Sequence, residues 1–466
     1  MVEPNRLGPV RVVSGPDVDP ALTRSSRGDR QLGGQRRQSL GSRQALTDDD
    51  VPAVGRCNLQ RVTRHVDPSV ISLFSGAGGL DVGLERAGWK TIAAIDNDAD
   101  CVATLRTNQA SQLPVEGAVS GSYLAGARIL AADIAELSAS DLRPPKCSST
   151  WRPDLVAGGP PCQPWSSAGL QKGFSDPRGQ LVEHFVRLIA DLRPRYVLME
   201  NVRGLVTAVG PSGRPGEALR LIQARLEEVG YASTVSLLNS ADFGAPQRRV
   251  RLFLVASSDH RLPLFPVPTH QQTSALTLLD SRGPWRSLGG FLSMLPPPDP
   301  TDVVRPKGDR AVQLAALRPG TGLRAAGRVE SNRPGGHWGY RQDCFVADPA
   351  LPSRTIRAAS TPDWIQESDG SLRRLTWREC AALQGFPTDW QFVGTVASRF
   401  RQIGNAVQAM VAEAVGACIM EALRAGPSTE RVESPAWPDE FDRRVRYTAS
   451  EHRVNGKHRV RVRASA

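Results

Sequence analysis

One cysteine stands in a stiff segment, Gly158-Gly159-Pro160-Pro161-Cys162-Gln163, directly after a short apolar run. A structural cysteine more often lies within an apolar run. The flanking proline and glutamine instead favour an exposed loop, where hydrogen bonds or nearby positive charge can stabilise a thiolate. The pattern therefore predicts a nucleophile for covalent catalysis at Cys162. For Cys162 taken alone, a structural role remains the alternative.

A carboxylate and a group of arginines follow two other apolar runs. Glu200 stands in Met199-Glu200-Asn201-Val202, and the arginines stand in Gln247-Arg248-Arg249-Val250-Arg251. A carboxylate at the end of a strand is a candidate acid or base-reading group. Alternating arginines can clamp a phosphate or a base carbonyl. Taken alone, Glu200 could also be a helix cap, and the arginines could also form a charged strand edge that faces solvent.

A glycine-rich turn, Phe74-Ser75-Gly76-Ala77-Gly78-Gly79-Leu80, separates a predicted strand from a predicted helix. Glycines let the backbone approach a ligand, and a helix N-terminus presents free N–H groups. Asp96 ends the next predicted strand, where it can bind ribose hydroxyls, and Asp133 follows a third. These features predict a nucleotide-like cofactor pocket, with an ordinary glycine turn as the alternative. The turn lacks the phosphate-loop pattern of nucleoside triphosphatases, so the sequence does not indicate that class of enzyme.

These motifs need a scaffold of alternating strands and helices. Short apolar runs predict strands at 69–74, 91–95, 154–157, 196–199 and 251–256. Helical patterns occur at 81–87, 98–107, 182–190, 216–229, 376–383 and 406–423. This alternation is typical of an α/β fold with a parallel, doubly wound sheet.

Composition divides the 466 residues into five parts. Residues 1–65 are rich in Arg, Ser, Gly and Pro, which predicts a disordered extension. Residues 66–259 hold the sheet and most of the motifs. The stretch 260–370 is rich in Pro, Gly and Arg, which predicts a smaller irregular domain, and 371–425 return to the first domain. Residues 426–466 form a basic tail.

The net charge of +11 favours a polyanionic partner. Most of it comes from residues 443–466, which hold eight basic side chains and one acid, so the tail is either a nucleic-acid arm or a solvated, disordered end. No run of about 18 apolar residues predicts a transmembrane helix, and the N-terminus does not resemble a secretory signal. None of the seven cysteines lies in a C-x-x-C pair, so we expect no zinc cluster or disulfide framework and an intracellular location.

The ordered set of motifs resembles the bacterial DNA cytosine-C5 methyltransferase family. The resemblance covers about residues 68–424. It rests on the glycine-rich turn, Pro160-Pro161-Cys162-Gln163, Glu200-Asn201-Val202, Gln247-Arg248-Arg249-Val250-Arg251, Gly404-Asn405-Ala406-Val407, Asp176-Pro177-Arg178 with Leu181, and Arg374-Leu375-Thr376 through Glu379 and Gln384-Gly385-Phe386-Pro387. It implies a Rossmann-like methyltransferase sheet with a smaller target-recognition domain at 260–370.

The resemblance also implies roles for single residues. Cys162 would add to cytosine C6, Glu200 would contact N3 and the exocyclic amine, and Arg251 would contact O2 with Arg249 and Gln247 supporting. The pocket would hold S-adenosylmethionine and no metal. The residues implied around that cofactor are Phe74, Gly76, Gly78, Gly79, Asp96, Asp133, Leu181, Asn405 and Val407.

The implied substrate is double-stranded DNA with the target cytosine flipped out of the stack. We further expect a monomer that acts on cytoplasmic, nucleoid-associated DNA without a membrane, in a restriction–modification or host-protection system with a cognate restriction endonuclease. Three positions depart from the family pattern: Ser72 stands where Asp is frequent, Asp96 where Glu is frequent, and Trp165 where Phe is commoner.

Two other functions compete with this interpretation. An RNA cytosine-C5 methyltransferase of similar fold would be told apart by comparing methyl transfer to duplex DNA and to tRNA; the arginines and tryptophans of 260–370 favour DNA. A catalytically silent DNA-binding regulator is the other, and the presence of Cys162, Glu200 and Arg251 argues against it.

Overall fold

The computed structural model describes residues 68–118, 121–148, 150–161, 177–272, 281–324 and 340–449, without the side chains of 177–179, 324 and 340–342. The predicted disordered extension 1–65 and the predicted nucleophile Cys162 lie outside these residues.

A seven-stranded sheet forms the centre of the described chain. Its strands are β1 (Ser69–Leu73), β2 (Lys90–Asp96), β3 (Arg128–Ala131), β4 (Leu155–Gly158), β5 (Tyr196–Val202), β6 (Ala232–Asn239) and β7 (Val250–Ser257). Their order across the sheet is β3-β2-β1-β4-β5-β7-β6. The pairings from β3 to β5 are parallel, whereas β7 runs antiparallel to both β5 and β6. The predicted α/β doubly wound fold is confirmed, and the sheet is parallel as predicted except at β7.

Ten α-helices accompany the strands in the described ranges, in addition to a helix at residues 439–449. They are α1 (Gly79–Arg86), α2 (Ala99–Ser111), α3 (Ala139–Leu142), α4 (Pro177–Leu192), α5 (Glu217–Glu228), α6 (Leu288–Leu292), α7 (Gly308–Ala315), α8 (Trp377–Leu383), α9 (Val396–Asn405) and α10 (Ala409–Arg424). The helix expected at 406–423 begins three residues later, at Ala409, and α9 precedes it without having been predicted.

The central strands are buried on both faces, which is why their sequences are continuous apolar runs. Alternate residues of β1 show this: Ile71 packs in one core cluster with helices α4 and α5, and Val70 packs in another with α1 and α10. The helices therefore lie on both faces, and the carboxyl ends of the parallel strands meet at one edge of the sheet.

The stretch between β7 and α8 contains only short elements. Its strands β8 (His270–Gln271), β9 (Gly283–Pro284), β10 (Gly322–Arg324), β11 (Tyr340–Phe345), β12 (Trp364–Gln366) and β13 (Leu372–Arg374) form three two-stranded sheets. A small core cluster contains Leu314, Cys344, Val346, Trp364 and Leu372. These short elements agree with the irregular structure predicted for this part of the chain.

Part of the predicted basic tail packs against the core beside the seven-stranded sheet. Residues 439–449, here named the C-terminal helix, are helical. Phe441 is 1% exposed and belongs to the same core cluster as α4 and α5. The interpretation as a solvated, disordered end is therefore wrong for this helix; residues 450–466 lie outside the described chain.

Residues Val396–Arg424, which span α9 and α10, are apolar and long enough to cross a membrane by length and composition alone. In the structure 67% of the apolar window is buried inside the protein, and α10 packs against α1. A core helix satisfies the same length criterion, so the described chain gives only weak support for a membrane span.

The contact between α1 and α10 leads to a first prediction. A Cβ added at Gly83 would lie 2.3 Å from the backbone oxygen of Ala409, whereas one added at Gly416 would lie 2.9 Å from the flexible Leu84 Cδ2. Replacing either helical glycine with alanine favours the helix by about 1 kcal/mol, but overpacking against backbone costs about 3 kcal/mol or more. We expect Gly83→Ala to lower the free energy of unfolding strongly and Gly416→Ala to change it little, as measured by urea denaturation. Equal effects would contradict this packing.

Candidate active site

The glycine-rich turn leaves β1 through backbone angles that favour glycine. Gly76 and Gly78 have positive φ values of 56° and 90°, and Phe74 adopts a φ of 56° although it carries a side chain. The Gly76 N–H donates to Asp96 Oδ2 at 2.8 Å. A Cβ at Gly76 would have no atom within 4 Å, so the turn faces open space at that residue.

Two carboxylates lie beside this turn at the carboxyl ends of neighbouring strands. Asp96 ends β2, and its second oxygen accepts the Asp98 N–H at 2.8 Å. Burial raises the pKa of Asp96 despite these hydrogen bonds. Asp133 follows β3, and its Oδ1 accepts the Ala135 N–H at 2.9 Å. Because β2 and β3 are parallel neighbours, both carboxylates occupy the same edge of the sheet.

The last two glycines of the turn are packed rather than open. A Cβ at Gly79 would lie 2.5 Å from the Val407 carbonyl oxygen, and one at Gly78 would lie 3.0 Å from Leu105 and 3.1 Å from Trp390. Val407 is buried and Asn405 is exposed. These contacts bring the late Gly404–Val407 motif against the first motif of the chain.

Glu200 lies in the last part of β5, and not after the strand as predicted. The Arg251 Nε lies 3.1 Å from Glu200 Oε1, because β5 pairs Val202 with Arg251 across the antiparallel contact with β7. Glu200 is only 8% exposed. Burial raises its pKa, and the positive charges of Arg251 and Arg249 oppose that shift.

The segment that leads to Cys162 is attached to the same strand end. The Asn201 side-chain amide donates to the Pro160 carbonyl oxygen at 3.0 Å. A Cβ at Gly159 would lie 3.4 Å from Glu200 Oε2. The described chain next to Cys162 therefore runs directly beside the Glu200 carboxylate.

Arg249 is buried and binds backbone carbonyls of the C-terminal third of the chain. Its Nη1 donates to Ile356 O at 3.0 Å, and its Nη2 donates to Gly404 O at 3.0 Å and to Ala406 O at 2.8 Å. A Cβ at Gly404 would lie 2.2 Å from Ala358 N, so this glycine permits the approach of the two segments. These contacts suit a supporting residue.

Gln247 and Gln384 reinforce the same junction. Gln247 Nε2 donates to Gln384 Oε1 at 2.9 Å, while Gln247 Oε1 accepts the Ile356 N–H at 2.9 Å. Gln384 Nε2 in turn donates to the Ile403 carbonyl oxygen at 2.6 Å. Sequence analysis placed Gln384 within a matching motif but assigned it no role. Its signal is a polar residue at the end of a helix, next to a glycine.

The structure brings most predicted site residues to one edge of the sheet. The turn residues, Asp96, Asp133, Glu200 and Arg251 lie at the strand ends described above. Phe74 and Leu181 are half-buried and pack against the same core cluster.

The model of the C-5 cytosine-specific DNA methylase family matches residues 69–281 and 323–421. The chain belongs to this family, and it is a DNA cytosine-C5 methyltransferase. Among curated relatives, the type II methyltransferase M.PspPI of Psychrobacter is 31% identical over 373 residues, covering 77% of this chain and 80% of the relative. M.FnuDI of Fusobacterium nucleatum is 30% identical, covering 76% and 94%. M.AquIA of Picosynechococcus is 34% identical over 247 residues, covering 50% and 92%.

Solved structures show the same fold. A putative DNA modification methyltransferase encoded within an Escherichia coli prophage superposes with a TM-score of 0.51 at 22% identity, covering 76% of this chain and 99% of its own. The Spodoptera frugiperda DNMT2 superposes with a TM-score of 0.52 at 16% identity, covering 76% and 99%.

A further carboxyl group lies beneath the glycine-rich turn. Asp81, on the first turn of α1, is 1% exposed, close to Ser72. Burial raises its pKa from 3.8 to about 6, the Ser72 side chain opposes the shift, and the charge of Asp96 adds to it. Although Ser72 replaces a frequent aspartate of the family, a carboxyl group is thus still present under the turn.

Asp81 gives a prediction for stability against pH. Because its pKa is higher in the folded than in the unfolded chain, the folded state binds the proton more tightly, and ionisation opposes folding. Relative to Asp81→Asn, the wild-type free energy of unfolding should fall by about 3 kcal/mol as the pH rises from below 4 to above 6. Urea denaturation at several pH values measures this difference. Asp191→Asn, on the exposed face of α4, is the control; the same pH profile in both variants would contradict the assignment.

Proposed function

We propose that this enzyme methylates C5 of one cytosine in a specific duplex sequence, with S-adenosylmethionine as donor and a transient covalent bond between Cys162 and the base. The observation that carries the proposal is the Glu200–Arg251 pair beside the Pro160 segment. That pair offers a carboxyl group and a guanidinium next to the residues that immediately precede Cys162.

The chemistry explains why these groups are needed together. Cytosine C5 is a poor nucleophile, because the ring is aromatic. As the Cys162 Sγ–C6 bond forms, electrons move into the ring towards N3 and O2, where Glu200 and Arg251 stabilise them, and C5 becomes able to form a bond to the methyl group. A base then removes the C5 proton. The electron pair of that C–H bond restores the C5–C6 double bond, and the Sγ–C6 bond breaks to release the thiolate.

The open turn fits a nucleoside-type cofactor. Open space at Gly76 and two carboxylates at adjacent strand ends suit an adenosyl group with ribose hydroxyls. When bound, S-adenosylmethionine would supply an electrophilic methyl group. As that methyl group bonds to C5, the electron pair of its bond to sulfur would stay on sulfur, and S-adenosylhomocysteine would be the leaving group. We propose that Phe74, Gly76, Asp96, Asp133 and Leu181 hold it, that Asn405 and Val407 complete the pocket, and that Gly78 and Gly79 shape its backbone.

We propose that the stretch 260–370 recognises the target sequence. The target base must also leave the duplex stack, at a cost of a few kcal/mol. The curated relatives are named type II methyltransferases, which supports a role in restriction–modification or host protection with a cognate endonuclease. We propose that the protein acts as a monomer on nucleoid DNA in the cytoplasm.

The covalent step is tested by trapping. Wild-type protein with 5-fluorocytosine DNA and cofactor should give an adduct stable to denaturing electrophoresis, because fluorine at C5 cannot leave as a proton does. Cys162→Ser should form none and should methylate no cytosine in cells, as measured by bisulfite sequencing. Cys147→Ser, a half-buried cysteine outside the site, is the matched control. An adduct formed equally by Cys162→Ser would refute the proposed nucleophile.

The role of Glu200 is tested separately. Glu200→Gln keeps the shape of the side chain but cannot transfer a proton to N3. We expect kcat to fall by about 10²–10³-fold, measured by transfer of labelled methyl to duplex DNA, with tRNA as a second substrate. A Glu200→Gln enzyme of wild-type kcat would exclude this role, and transfer to tRNA alone would exclude DNA as the substrate.

A further inference from the structure

The C-terminal segment lies beyond the part of the chain that matches the family model, which ends at residue 421. It is nevertheless firmly attached to α5 and β6. The Trp437 indole N–H donates to Gln223 Oε1 at 2.6 Å, and Ser434 Oγ accepts the Ser233 N–H at 3.0 Å. With Phe441 buried in the core, these contacts give the C-terminal helix a defined position.

That position is next to the turn that follows Glu200. Residues Arg203–Thr207 form a 3-10 turn directly after β5, and Leu205 and Val206 share a core cluster with Phe441. A Cβ on Gly216 would lie 2.8 Å from Val445 Cγ2, and the Gly216 N–H donates to Ala208 O at 3.0 Å. Phe441 therefore places the helix against the same core as the turn, and Val445 lies against Gly216, whose N–H binds the residue that follows the turn.

Several arginines lie in the region of the C-terminal helix and the 203–207 turn. Arg203 stands three residues after Glu200. It is exposed to solvent, although the surrounding protein removes part of its hydration. The positive charges of Arg444 and Arg251 both act on Arg203 and contribute to lowering its pKa, after the larger effect of burial, while Glu440 opposes them. Arg444 pairs with Glu440, and its side chain is 38% exposed. Three guanidinium groups thus lie near one another at the edge of the site, an arrangement that an anion stabilises.

We propose that Arg203 and Arg444 together bind a DNA backbone phosphate next to the target nucleotide. This inference rests on the proposed function, because it takes duplex DNA at the Glu200–Arg251 pair as the substrate. Two guanidinium groups on neighbouring elements match the charge and geometry of a phosphate. The phosphodiester chain must pass beside the base that enters the site. After the helix in the sequence, residues 451–466 add five basic side chains and one acid, so this part of the chain is also positively charged.

The test measures DNA affinity against salt for the full-length protein. The double variant Arg203→Gln/Arg444→Gln should reduce the slope of log K against log salt by about 0.9, the value for one phosphate, and each single variant should account for part of that change. The loss should be equal for specific and non-specific duplexes, and should appear in the KM for DNA more than in kcat. Arg203→Lys and Arg444→Lys should keep the wild-type slope, which separates a phosphate contact from a folding defect.

Arg225→Gln is the matched control, because Arg225 also pairs with nearby carboxylates but lies on α5, where it contacts Glu228 of the same helix and Glu183 of α4. A double variant with the wild-type slope would overturn the phosphate contact. So would an Arg225→Gln variant that loses as much slope as Arg444→Gln. Binding measures the phosphate contact and methyl transfer measures the proposed function, so the failure of one is distinguishable from the failure of the other.

Discussion

The buried guanidinium of Arg249 is the contact on which the rest of the site depends. Three of its hydrogen bonds go to carbonyl oxygens of Ile356, Gly404 and Ala406, which are more than 100 residues away in sequence. A buried charge without such acceptors would cost several kcal/mol, so the chain folds stably only when these segments return to β7. One side chain thereby couples the sheet to the last third of the protein.

This return builds one wall of the proposed cofactor pocket from two distant parts of the chain. Once Arg249 holds the 404–406 segment, Val407 comes within van der Waals contact of Gly79, where a Cβ would lie 2.5 Å from its carbonyl oxygen. Gly404 permits the same approach on the other side, against the backbone of Ala358. Glycine is needed at these two positions because the neighbouring atoms are backbone and cannot move aside as a side chain can.

The sequence predicted the parts of the fold that local pattern determines. β1, β4 and β5 are buried on both faces, so each appears in the sequence as a continuous apolar run. The candidate site residues were then predicted from the positions at which these strands end. β6 was missed because its polar residues alternate with buried ones, and the antiparallel direction of β7 depends on its connection and not on its own residues. The partners of Arg249 and Gln247 are largely backbone atoms from distant segments, which leave no side-chain signal. The burial of Phe441 could not be predicted either, because the segment around it is rich in charged residues.

The alternation of an extended segment explains how one short motif serves both packing and chemistry. Gln247, Arg249 and Arg251 are spaced by two residues, so their side chains leave the same side of the segment. Gln247 and Arg249 hold the returning chain, and Arg251 reaches Glu200. The carbonyl oxygens that bind Arg249 do not neutralise its positive charge. That charge still acts on Glu200 and opposes the rise in its pKa that burial causes. Arg249 thus holds the returning chain and also favours the charged form of the Glu200 carboxylate. A structural role and a chemical role therefore cannot be divided cleanly between Arg249 and Arg251.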